Sequence, residues 1–223
     1  MILYIVADSE EHFRHQTHWW AHRGALERIA GDACVVLHYT SADPDIVARL
    51  APWAIVHSGG SAQYDSYDVL DNDAYRKLIT EWPVPQLGIC RGHQVLAHYH
   101  GAPVERIRPI RDDEPDIAPY SPGWYKEWGF CPVRILASDP LFEGLGPVIR
   151  VKQAHAWEVK RLPEGFVHLA ATDECPIQGY RHPSRALYGV QFHPEVVQDA
   201  YPDGTKVLEN FFRIAKNAAP AGR

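Results

Sequence analysis

The stretch Gln86-Leu-Gly-Ile-Cys90-Arg-Gly-His-Gln94 constrains this chain more than any other. A short apolar run ends in Gly88-x-Cys90-x-Gly92, and helix-forming residues follow over 91–100. The spacing is the cysteine counterpart of the G-x-S-x-G nucleophile elbow, a tight strand-to-helix turn. Side chains two positions either side of such a turn would hold strand and helix apart, so both positions are glycine. The turn pushes the sulfur outward. It also sets Cys90 at a helix N-terminus, where unpaired N–H groups and the helix dipole favour a thiolate.

The rest of the first half supplies the frame for that turn. Apolar, β-branched runs predict strands over 2–6, 33–38, 53–57 and 86–89. Between them, helices are predicted over 18–30, stopping at Gly31, over 44–50, behind Asp43 with Pro44 at the first position, and over 73–82, running into Pro83. Strand–helix–strand repetition implies a parallel sheet with helices on both faces. The second half changes character. Strands are predicted over 104–108, 129–136, 148–153, 166–171, 177–182 and 186–191 with little helix between them, which reads as an antiparallel extension. An amphipathic helix over 205–217 closes the chain, with Val207, Leu208, Phe211 and Ile214 on one face. Residues 218–223 are expected to fray. The expected fold is α/β, a central, mostly parallel sheet flanked by helices in three layers, in one domain over 1–223.

Composition narrows the function. A net charge of −6 without a basic block argues against a nucleic-acid groove. No apolar run approaches the roughly 20 residues of a membrane span. The apolar opening stops at Ala7-Asp8-Ser9 without a basic leader, so it reads as a first strand and not as a signal peptide. Cys34, Cys90, Cys131 and Cys175 form no C-x-x-C pair, and scattered thiols fit a reducing cytoplasm. No G-x-x-x-x-G-K-[ST] loop is present, and no cofactor is expected.

Two further segments complement the cysteine. In Tyr188-Gly-Val-Gln-Phe-His193-Pro-Glu195 a strand ends at a histidine, and an acid follows two residues on. A nucleophilic thiol needs a base, and the base needs an acid to orient it. In His57-Ser-Gly59-Gly60-Ser61 two glycines end another strand and can expose N–H groups as an oxyanion cradle. The segment 111–128 carries Tyr120, Trp124, Tyr125 and Trp128 among prolines, with neither helix nor strand period, and reads as a self-packed loop or as the wall of a substrate pocket. His12, His15, His18 and His22 share one side if the segment is one helix, but no acid or cysteine has ligand spacing to them, so no metal is expected.

Taken together, Gly59-Gly60, residues 88–94, Asp139-Pro-Leu-Phe-Glu-Gly-Leu145, Leu162-Pro-Glu-Gly-Phe166, Cys175-Pro-Ile-Gln178 and residues 188–196 resemble the class I glutamine amidotransferases, the triad-type cysteine amidases. Within that family the likeness is nearest to the amidase domain of GMP synthase. The resemblance covers most of the chain and implies roles. Cys90 attacks a γ-glutamyl amide, His193 is the base and Glu195 orients it. The N–H groups of Gly60 and Arg91 hold the oxyanion, and Gly59 and Gln94 lie at the substrate. The family's Ser-His-Gly-Asp contact strand becomes Ala154-His155-Ala156-Trp157 here. Trp157 then either fills core space or, with Tyr120 and Trp124, forms an aromatic wall for a larger leaving group. Arg91 beside the nucleophile leans the likeness toward relatives that hydrolyse γ-glutamyl amines.

The expected activity is therefore cysteine-dependent hydrolysis of a γ-glutamyl amide through a thioester. The substrate is glutamine or a γ-glutamyl arylamide such as an anilide. The alternative is a glutaminase component of a two-chain amidotransferase that delivers ammonia to a synthetase partner. A degenerate, binding-only fold is the third reading, and the filled triad positions count against it.

Overall fold

The computed structural model describes residues 1–117 and 120–218. Of the end expected to fray from 218, Ala218 closes the last helix and 219–223 lie outside the described residues, as do Ala118 and Pro119 of the aromatic segment. In chain order the elements are β1 (Ile2–Val6), α1 (Glu10–His15), α2 (His18–Ala30), β2 (Cys34–His38), α3 (Pro44–Leu50), β3 (Ala54–His57), α4 (Asp73–Glu81), β4 (Gln86–Ile89), α5 (Arg91–Tyr99), β5 (Val104–Arg106), β6 (Glu127–Ile135), β7 (Val148–His155), β8 (Trp157–Val159), β9 (Val167–Ala171), β10 (Gly179–Arg181), β11 (Leu187–Val190) and α6 (Asp203–Ala218).

One sheet has the order β2-β1-β3-β4-β11-β10-β9-β6-β7. The strands from β2 to β11 pair in parallel, and those from β11 to β7 pair antiparallel. The predicted α/β sheet with an antiparallel extension is what forms. β5 and β8 make a separate two-stranded ribbon.

β1 shows why the sheet is covered on both faces. Its side chains alternate across the sheet. Ile2, Tyr4 and Val6 pack with Trp19 and Leu26 of α2 and with Val207, Leu208 and Phe211 of α6. Leu3 and Ile5 pack on the other side with Val47 of α3, Leu78 of α4 and Val95 of α5. Each fully buried side chain of this size stabilises the fold by roughly 1.5–3 kcal/mol. The helix ends follow local chemistry. Gly31 closes α2 at φ 68°, and the Asp43 carboxylate caps α3 by accepting from Asp45 N–H.

Three details depart from the sequence reading. Residues 12–22 are two helices, broken at Gln16 and Thr17, so the four histidines do not line one helix. β5 ends at Arg106 instead of running to 108, because Ile107 N–H turns to the carbonyl of Ala156. β6 begins at Glu127, so Trp128 belongs to a strand.

Candidate active site

The elbow follows from β4 and α5. Cys90 adopts φ 49°, ψ −99°, a strained conformation for a residue with a Cβ. Its N–H donates to Val190 O of β11 at 2.9 Å, which ties the turn to the neighbouring strand. The glycines are required. A Cβ on Gly88 would lie 2.6 Å from the carbonyl carbon of Gly92, and one on Gly92 would lie 2.5 Å from His57 O. Strand, elbow and helix are in backbone contact with no room for a methyl group.

β11 then delivers the second component. The chain leaves the strand through Phe192, and His193 N–H donates to Lys152 O at 2.8 Å. The imidazole points back over Gly59, where a Cβ would sit 2.8 Å from His193 Cε1 and 3.7 Å from Cys90 Cβ. Thiol and imidazole thus converge across Gly59. His193 Nδ1–H donates to Glu195 Oε1 at 2.8 Å, and Glu195 is buried. His193 Nε2 is buried and makes no hydrogen bond of standard geometry among the described residues. That nitrogen faces the site unengaged, and hydrogen bonds at such positions are often long until a ligand is present.

The charges agree with this arrangement. Burial alone pushes the Cys90 thiol up, but His193 outweighs it, chiefly through its charge, and the thiol falls below the ordinary cysteine value. For His193 burial works downward, and the Glu195 carboxylate and the Cys90 thiolate carry the imidazole well above its ordinary range. Burial raises Glu195, and His193 pulls it below the usual carboxylate value. Each shift favours the charged form of its group.

Arg91 directly follows Cys90, and Gly60 lies against the Arg91 side chain. Neither Gly60 N–H nor Arg91 N–H donates to a protein acceptor among the described residues. Both residues line a cavity of about 260 Å³ that also contains Cys90, His193 and Glu195. An N–H at the first position of a helix has no intrahelical partner, so Arg91 N–H is free for a ligand.

The family profile "Glutamine amidotransferase class-I" matches residues 16–215. This chain belongs to the class I glutamine amidotransferases. It is 33% identical over 197 residues to a subunit of the glutamine-hydrolyzing GMP synthase of Methanosarcina mazei, covering 82% of this chain and 92% of that one. It is 33% identical to the corresponding GMP synthase subunit from Pyrococcus furiosus over 174 residues, 76% of this chain and 79% of that one. Among solved structures, a putative GMP synthase subunit from Thermoplasma acidophilum superposes with a TM-score of 0.74 at 27% identity, covering 97% of this chain and 94% of that one.

In this amidotransferase the aromatic segment and the contact strand are where the sequence reading needs most revision. Tyr120, Ala154, His155, Ala156 and Trp157 line the cavity. Trp157 is a wall and not core: its half-buried indole stands edge-on to Tyr64 with ring centroids 4.9 Å apart. Trp124 does not line the cavity. It bridges to Pro109 with Arg106 5.5 Å from its ring, so the expectation that it contacts substrate is withdrawn. Gln94 reaches the cavity with its polar groups already engaged. Its Nε2 donates to Trp157 O and Gln191 Oε1, and its Oε1 accepts from Tyr64 Oη.

The sequence reading missed His18, Trp19, His22 and Ser61 as lining residues. The histidine cluster was the available signal, but its role is local. His22 Nδ1 lies 3.3 Å from Tyr4 Oη and 3.9 Å from Glu195 Oε1. Below the cavity, Glu127, His155 and Cys175 have ligand atoms within 4.8 Å of one another. They are poor metal ligands. The ring nitrogens of His155 face Trp157 O at 3.0 Å and Glu127 Oε2 at 2.9 Å, and Gln178 Nε2 donates to the same carboxylate oxygen. Burial and two carboxylates drive the Cys175 thiol far up. The donors satisfy one another as a hydrogen-bonded network.

Proposed function

We propose that this protein hydrolyses a γ-glutamyl amide by nucleophilic catalysis with Cys90, His193 and Glu195. The Cys90 thiolate attacks the γ-carbonyl carbon, forming the C–S bond and placing the electron pair on oxygen. The N–H groups of Gly60 and Arg91 hold that oxyanion. His193 gives its proton to the departing nitrogen as the C–N bond breaks, leaving a γ-glutamyl thioester. Water, deprotonated by the same imidazole, attacks the thioester and returns the thiol with glutamate. Glu195 holds the imidazole in one tautomer throughout. The observation that carries this reading is the convergence of His193 and Cys90 over Gly59.

The leaving group is the finer question. Trp19, Tyr120, Trp128 and Trp157 surround the cavity, and flat apolar walls favour an aromatic amine. The preferred substrate is accordingly a γ-glutamyl arylamide of the anilide type. Similarity to the Methanosarcina mazei GMP synthase subunit favours a second reading, a glutaminase passing ammonia to a synthetase partner. Steady-state kinetics of the isolated protein separate the two. High turnover of L-γ-glutamyl-p-nitroanilide with negligible glutaminase activity supports the first. Weak glutaminase activity that rises when a synthetase is added supports the second.

A further inference from the structure

The loop that joins β3 to the oxyanion position is gripped by two buried opposite charges that do not bond to each other. On one side stands Asp8, fully buried just past the end of β1. Its Oδ2 accepts Ser61 N–H at 2.8 Å and its Oδ1 accepts Ala62 N–H at 3.0 Å. Ser9 N–H, the Ser61 hydroxyl and His12 Nδ1 complete its shell. On the other side stands Arg91, also buried. Its Nη2 donates to Ala62 O at 2.5 Å and reaches Gly60 O at 3.5 Å, and its Nη1 donates to Tyr67 Oη at 2.6 Å. The guanidinium carbon lies 3.8 Å from the centre of the Tyr64 ring. Gly60 itself fits between these anchors: a Cβ there would lie 3.1 Å from Ala7 O and 3.2 Å from Arg91 Cγ.

The division of labour is specific. Asp8 takes amide hydrogens of residues 61 and 62, and Arg91 takes carbonyls of residues 60 and 62. Among the described residues, what the clamp leaves unengaged in this loop is the N–H of Gly60, together with that of Gly59 before it. We propose that Asp8 and Arg91 are positioning residues that fix the loop over 59–62, so that Gly60 N–H stands ready for the oxyanion before substrate arrives. This rests on the amidase reading above. The Arg91 side chain then works through the loop, while its own backbone N–H is the second donor. A preorganised donor costs no rearrangement at the moment charge develops on oxygen.

The alternative for Arg91 is direct stabilisation of the Cys90 thiolate, and the two roles separate experimentally. Arg91→Gln and Arg91→Lys are assayed with L-γ-glutamyl-p-nitroanilide, and the pH dependence of Cys90 alkylation by iodoacetamide is followed in the same preparations. The clamp predicts that kcat falls about 10²-fold in Arg91→Gln, the order expected when a reacting group is misplaced by an ångström. It predicts partial recovery with lysine, a much smaller change in KM and an alkylation midpoint close to that of the wild type. Asp8→Asn, compared with the double variant Asp8→Asn/Arg91→Gln, tests the shared loop: losses that fail to multiply support one clamp, and independent losses contradict it. If Asp8→Asn does not fold, the Arg91 variants decide alone. An unchanged kcat in folded Arg91→Gln overturns the proposal, as does a loss of activity matched by an upward shift of the alkylation midpoint. Retained activity in Cys90→Ala would instead overturn the amidase reading itself.

Discussion

Glu195 accepts the Nδ1–H of His193 at 2.8 Å through Oε1, while its other oxygen, Oε2, is buried without a partner among the described residues. The carboxylate therefore holds the imidazole by one bond, and among the described residues no second side-chain hydrogen bond fixes its own plane. Replacement of Glu195 by Gln should lower kcat/KM by roughly 10²–10⁴-fold, less than removal of the nucleophile, because an orienting group is partly replaceable. Steady-state kinetics of Glu195→Gln, His193→Ala and Cys90→Ala should rank in that order of increasing severity. Equal activity of Glu195→Gln and wild type would remove Glu195 from the mechanism.

The four thiols should differ sharply in reactivity. His193 brings Cys90 below the ordinary cysteine value, against the effect of burial. Burial pushes Cys34 up to about 12 and also raises Cys131 and Cys175. Thiolate appears as pH rises through each pKa, so near neutrality Cys90 alone should react quickly with iodoacetamide. Peptide mapping after brief labelling at about pH 7 checks this. In His193→Ala the midpoint for Cys90 should move to higher pH, since the main opposing influence on burial is gone.

The elbow has no spare volume. Gly92→Ala would force a Cβ to within 2.5–2.8 Å of His57 backbone and Cβ atoms, which cannot rotate away. A loss of roughly 1–3 kcal/mol or more is expected from such overpacking. Urea denaturation of Gly92→Ala should show a lower midpoint with an unchanged slope. A midpoint equal to that of the wild type would show that the close packing at the turn is dispensable.

Acid should unfold the protein through buried neutral histidines. His57 sits between Tyr75 Oη and Gln86 Oε1, each at 2.8 Å, and burial holds its imidazole down to about 4. Burial takes His93 to about 3. The unfolded chain protonates these rings near 6.5, ahead of the folded one. Their contribution is therefore full above about pH 6.5 and is lost as pH falls toward about 4, at about 1.4 kcal/mol per pH unit for each proton. The unfolding free energy in urea, measured from about pH 7 to about pH 4.5, should fall, and His57→Gln should flatten the slope. A slope identical in the two proteins would contradict this assignment.

Tyr120 and Trp128 pair with ring centroids 5.6 Å apart at the cavity wall. If they receive an aromatic amine, Trp128→Ala should raise KM for L-γ-glutamyl-p-nitroanilide by about 2–10-fold, in line with roughly 0.5–1.5 kcal/mol for an aromatic contact. Cys90 alkylation should stay unchanged. Equal effects on arylamide and glutamine would place the ring outside the leaving-group side.

The parts legible in the sequence were those fixed by short-range sterics. Gly88, Cys90 and Gly92 announced the elbow because the clash they avoid lies within five residues of chain and its immediate neighbour. Gly31, Asp43 and Pro44 set helix ends for equally local reasons. Asp8 was not legible, since its partners Ser61 and Ala62 lie 53 and 54 residues away. α1 escaped because it buries no residue and so has no apolar period. Trp124 looked like its aromatic neighbours in sequence. However, what separates them is long-range: Tyr120 and Trp128 line the cavity, while Trp124 pairs with Pro109 and lies beside Arg106.

Intact-mass spectrometry after rapid acid quench tests the acyl-transfer chemistry most directly. The protein is mixed with L-γ-glutamyl-p-nitroanilide and stopped within a turnover. A covalent γ-glutamyl adduct that maps to Cys90 and is absent in Cys90→Ala is the predicted result. Steady turnover with no adduct, together with full activity in Cys90→Ala, would contradict it.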